Sequence, residues 1–90
     1  MTQEQQTAVA AVEEKKDLIG RVADQVWEYA ELSLLEEKSA DCYCQTLKEE
    51  GFRVERGICG IPTAFSAEFG NGSPRIGILA EYDALSGLSQ

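Results

Sequence analysis

The chain has 90 residues, enough for one small domain at most and near the lower size limit at which a single apolar core sustains a fold. Its composition, 43% hydrophobic and 27% charged, is that of a chain that folds, outside the low-hydrophobicity, high-charge range of disordered segments. With 16 acidic and 8 basic residues the net charge is −8, which repels phosphate backbones and anionic lipid and argues against nucleic-acid and membrane-surface roles.

The acidic residues lie mostly on faces expected to be helical and solvated. No stretch approaches the apolar length of a membrane span, and the opening Met1-Thr2-Gln3-Glu4-Gln5-Gln6 is polar, unlike a signal peptide. Cys42, Cys44 and Cys59 are an odd number, which fits reduced thiols better than a disulfide framework. A cytoplasmic location is the expectation.

In chain order, residues 2–30 predict a helix whose apolar positions Leu18, Ile19, Val22 and Val26 recur three and four apart, its first dozen residues prone to fraying. Ser33-Leu34-Leu35-Glu36 has capping-box spacing, so a second helix is predicted to start there and to close at Gly51, with Ala40, Tyr43, Cys44 and Leu47 facing inward. Phe52-Arg53-Val54-Glu55-Arg56 alternates as a half-exposed strand, residues 57–62 read as a turn or loop, and residues 63–69 as a second strand. Gly70-Asn71-Gly72-Ser73-Pro74 is dense turn chemistry before residues 75–80, a near-continuous apolar run of the kind found in strands covered on both faces. Two helices and three strands cannot complete a domain around such a strand, because too few elements exist to cover it.

Most motifs have plain structural readings. Cys42 and Cys44 sit two positions apart on a helix and point about 200° apart, so they cannot grip one ion, and Cys59 is too isolated to complete a zinc site. A thiolate nucleophile at Cys59 would want a basic partner such as histidine, and the chain has none. The glycines lack the strand, loop and helix order of a phosphate-binding loop, and Trp27 and Tyr29 read as packing residues. Glu81 and Asp83 stand apart, since alternate positions at a strand end project the same way and present two carboxylates together. Such a pair holds cations, orients a metal-binding histidine or moves a proton.

At these residues the chain resembles the N-terminal part of the metal-dependent amidohydrolase family that includes aminobenzoyl-glutamate hydrolase, hippurate hydrolase and carboxypeptidase G, most of all the first of these. The resemblance spans residues 18–90 and rests on Ala23-Asp24-Gln25-Val26-Trp27, Glu31-Leu32-Ser33 with Glu36-Glu37, the surroundings of Gly51-Phe52, Gly60-Ile61-Pro62-Thr63-Ala64-Phe65, and Leu79-Ala80-Glu81-Tyr82-Asp83-Ala84-Leu85-Ser86-Gly87-Leu88-Ser89-Gln90. It implies an α/β fold, the first two helices and three strands of a three-layer α/β/α mixed-sheet catalytic domain of zinc-exopeptidase type, incomplete here, with residues 1–17 as a helical extension. It also implies that the strand at Phe52 lies between an antiparallel neighbour at Thr63 and a parallel one at Arg75, although a simple meander is also open.

The family carries two divalent ions, zinc or manganese, whose ligands the resemblance places beyond Gln90. Asp83 matches the family aspartate that stands behind a metal ligand and orients it, while Glu81 takes the place where many relatives carry a metal-binding histidine and is read as a rim residue of unassigned role. Ala30 replaces the proline that commonly precedes Glu31, a departure confined to the helix connection. The expectation is an inactive N-terminal fragment of an enzyme that cleaves an amide bond of an N-acyl or aminobenzoyl amino acid or dipeptide, with the remainder of the hydrolase chain as its partner. The alternative is an autonomous acidic interaction module that pairs, with a partner or with itself, through an exposed strand edge.

Overall fold

A computed structural model of the chain describes residues 1–86. Helix α1 spans Gln3–Glu14, α2 Lys16–Tyr29 and α3 Glu37–Glu49; strands β1, Arg53–Arg56, and β2, Phe65–Glu68, follow, separated by a short 3-10 turn at Ile58–Gly60. The fold is mixed α/β. Among the described residues no helix is long and apolar enough to cross a membrane.

The expected first helix is two helices, broken at Lys15, where the backbone leaves helical geometry with φ −95° and ψ 4°. Thr2 and Gln5 form a reciprocal capping box at the start of α1. No α1 residue is buried, whereas α2 sets Leu18, Val22 and Val26 half-buried on the side facing α3. The break therefore falls where the apolar stripe begins, and Lys15 there pairs with Glu50 at the far end of α3.

The second expected helix begins later than its spacing predicts, at Glu37, and Ser33 does not cap it. The Glu31 side chain does so instead, and a carboxylate accepting two amides outcompetes a neutral serine oxygen. The C-terminus follows the expectation. Gly51, at φ 94°, lets the Phe52 amide reach the Leu47 carbonyl (2.9 Å) and its own amide reach that of Lys48 (3.1 Å), the paired bonds of a Schellman cap. Phe52 then packs against Phe69, the rings tilted and their centres 5.2 Å apart.

Strands β1 and β2 pair antiparallel, as the resemblance implies, with Val54 opposite Ala67 and Arg56 opposite Phe65. Val54, Phe65 and Ala67 turn inward toward α3. The third expected strand is absent among the described residues: 75–80 run as irregular chain, with Ile76, Ile78 and Leu79 exposed at 85, 90 and 96%. A strand exists only by pairing its backbone, and nothing pairs with this one. Residues 87–90, the end of the family-like motif, lie outside the described residues.

The core is correspondingly slight. Ala40 and Cys44 are its buried apolar residues, beside buried Ser39 and Thr63. The accessible surface of 7362 Å² exceeds the roughly 5,200 Å² expected of a folded monomer of 9.9 kDa. The radius of gyration, 15.0 Å, likewise exceeds the roughly 12 Å expected at this length. Both excesses accompany the exposure of α1 and of residues 75–80.

Candidate functional site

The stretch around Asp83 is irregular but fixed on both sides. Before it, the Tyr82 ring packs against Tyr43 (5.2 Å between centres) and Phe65 (6.1 Å), joining α3, β2 and the C-terminal stretch in one aromatic cluster. The Tyr82 hydroxyl donates to the Thr63 carbonyl. Burial pushes the Tyr82 phenol above its ordinary range, as does the Glu36 carboxylate, so the proton needed for that bond stays in place at neutral pH.

After it, the Ala84 amide donates to the Glu31 carbonyl at 2.7 Å, forming an isolated parallel bridge between Leu32 and Ala84. Glu31 is held in turn. One carboxylate oxygen accepts the Ser39 amide at 2.7 Å and the other the Lys38 amide at 3.0 Å, satisfying two otherwise orphaned donors in the first turn of α3. Burial pushes the Glu31 carboxyl up, but the Ser39 and Lys38 amides more than offset it, and the net displacement is downward.

Ala30 makes this arrangement possible. It closes α2 in the left-handed region, φ 45° and ψ 47°, with its amide on the Val26 carbonyl. A proline at this position would have neither an amide hydrogen nor access to positive φ, so it could not close α2 in this way.

Asp83 is half-buried and Glu81 exposed, and the two line one shallow groove of about 260 Å³ together with Trp27, Tyr43 and Ala84. The structure thus brings both carboxylate residues to one place, though without the strand that was expected to align them. Among the described residues no group of three His, Cys, Asp or Glu could hold a metal ion. Two carboxylates without a further donor fall short of the three or four protein ligands of a zinc site.

The three cysteines differ in exposure. Cys44 is buried, and burial pushes its thiol up, away from the reactive thiolate. Cys42 turns the other way, to the Gln25 side-chain oxygen at 3.2 Å, and Cys59 is exposed in the turn between the strands at φ 56°. Sequence reasoning overlooked Glu31 as a cap and Tyr82 as an anchor. Glu31 lies seven and eight residues before the amides it serves, beyond the three-residue spacing that marks a capping box. The alternation of aromatic Tyr82 with Glu81 and Asp83 was the one available sign that the segment has an inner and an outer side.

Over 80 residues, 89% of its length, the chain is 44% identical to a p-aminobenzoyl-glutamate hydrolase subunit of Escherichia coli (strain K12). Over that stretch the chain resembles this bacterial amidohydrolase subunit. The match spans 17% of the relative's own length. No family model matches the chain, and no solved structure matches it.

Proposed function

We propose that the chain supplies the amino-terminal part of a metal-dependent amidohydrolase that cleaves an amide bond of an N-acyl or aminobenzoyl amino acid or dipeptide, and that these 90 residues do not catalyse the reaction alone. The identity of 44% over 80 residues to an aminobenzoyl-glutamate hydrolase polypeptide carries this reading. The zinc or manganese of the family is held by residues outside this chain, which has no histidine, and Asp83 stands behind one of those ligands to orient it. The remainder of the hydrolase chain is the partner. In support, residues 76–79 are apolar and exposed, and the surface exceeds that of a self-sufficient monomer by roughly 2,000 Å², more than the roughly 800 Å² that one partner gives to a standard interface.

The test is complementation. The Escherichia coli relative lacking its matching segment is produced together with this chain and assayed for cleavage of aminobenzoyl-glutamate, with each piece alone as control. Hydrolysis that needs both pieces supports the reading, and a stable complex with no activity counts against it.

The same exposed run favours a second reading, an interaction module whose apolar segment pairs with a partner strand or a second copy. A defined dimer with a sharp unfolding transition would favour the module, and a poorly cooperative chain that binds dyes for apolar surface would favour the fragment.

A further inference from the structure

The Glu31 carboxylate and the Glu31 carbonyl serve different parts of the molecule, the first capping α3 and the second accepting the amide of Ala84, the residue after Asp83. Their shared backbone means that one cannot move freely without the other. A carboxylate locked onto two amides at 2.7 and 3.0 Å fixes the position of a residue that otherwise sits in an exposed connection between helices. The adjoining left-handed Ala30 fixes the chain direction on the other side.

From this geometry we infer that Glu31 is a positioning residue for the Asp83 segment, carrying the rigidity of the first turn of α3 to Ala84 and so to Asp83. The inference rests on the reading of Asp83 as an orienting carboxylate. It adds to that reading the group that holds the carboxylate's backbone still, with Tyr82 on Thr63 as the anchor on the opposite side. An orienting group must be held to within about half an ångström, which an irregular segment with one anchor does not provide.

Amide hydrogen exchange of this chain, resolved residue by residue by NMR, tests the link without any enzymatic assay. Replacing Glu31 by Ala or Gln removes side-chain oxygen but leaves the carbonyl that Ala84 bonds, so a change at Ala84 reports movement of the Glu31 backbone. The expected result is faster exchange at Lys38 and Ser39 and, with them, at least a fivefold acceleration at Ala84, while the β1–β2 ladder amides change less than twofold. Glu31→Gln, which keeps one acceptor oxygen and perturbs folding less, should give an intermediate effect.

Unchanged exchange at Ala84 while Lys38 and Ser39 accelerate would overturn the inference. So would equal acceleration of Ala84 and the strand ladder in both variants, which would mark general destabilisation. Because the readout does not depend on hydrolysis, a failed link is distinguishable from a failed assignment of Asp83, which shows itself only in activity.

Discussion

The Tyr82 hydroxyl donates to the Thr63 carbonyl across 19 residues of chain, and this bond fixes the approach to Asp83 against the start of β2. Thr63 is itself buried, with its hydroxyl directed to the Glu36 carboxylate at 3.4 Å. Removing the Tyr82 oxygen leaves the Thr63 carbonyl without that donor while the ring keeps its place in the aromatic cluster. Tyr82→Phe is expected to cost about 1 kcal/mol in urea unfolding, within the usual range for one hydrogen bond. An unchanged midpoint would mean that water replaces the hydroxyl without loss.

Glu31 sets a pH dependence. Its carboxyl in the fold lies below the ordinary glutamate value, so the folded state binds a proton less readily than the unfolded chain. Its contribution is fully present above the ordinary glutamate pKa and is lost as pH falls through the depressed one. The stability difference between the chain and its Glu31→Gln variant should therefore be constant near neutrality and shrink below about pH 4. Thermal unfolding of both proteins across that range gives the comparison.

The thiols should react in order of access. Cys59 is exposed, Cys42 is half-buried against Gln25, and Cys44 is buried with its thiol pushed up by that burial. Brief treatment with iodoacetamide followed by peptide mass spectrometry is expected to label Cys59 first, Cys42 more slowly, and Cys44 only on unfolding. Labelling of Cys44 at the rate of Cys59 would show that the core opens readily.

The exposed apolar run governs self-association. Ile78 is 90% exposed within a segment that nothing covers, so a lysine there costs the isolated chain little folding energy. Ile78→Lys is expected to lower dye binding and aggregation of the isolated chain at unchanged unfolding midpoint, and to weaken assembly with the rest of the hydrolase. Sedimentation and dye fluorescence measure the first effect, and the complementation assay the second.

What the sequence made legible was local. The inward stripe Ala40, Tyr43, Cys44 and Leu47 and the Gly51 closure follow from periodicity and glycine chemistry within a few residues, the antiparallel pairing of β1 and β2 follows from the resemblance, and all are present. The bend at Lys15, the cap from Glu31 and the anchor from Tyr82 depend on partners distant in sequence, which no spacing rule encodes. Residues 75–80 illustrate the reverse case. Their composition is that of a covered strand, but composition supplies neither a neighbouring strand nor a covering helix, and the run is left irregular. Asp83 and Glu81 were singled out from their place beyond that run, and they line one groove; the role given to Asp83 comes from resemblance.

The most direct test of the central claim is a chimera in which the matching segment of the Escherichia coli hydrolase is replaced by the corresponding residues of this chain, assayed for cleavage of aminobenzoyl-glutamate. The account predicts a folded, metal-dependent hydrolase whose kcat/KM falls by about tenfold or more on Asp83→Asn, the range typical of losing a group that orients a metal ligand. A chimera that folds and binds metal yet hydrolyses nothing, or one indifferent to Asp83→Asn, would contradict it.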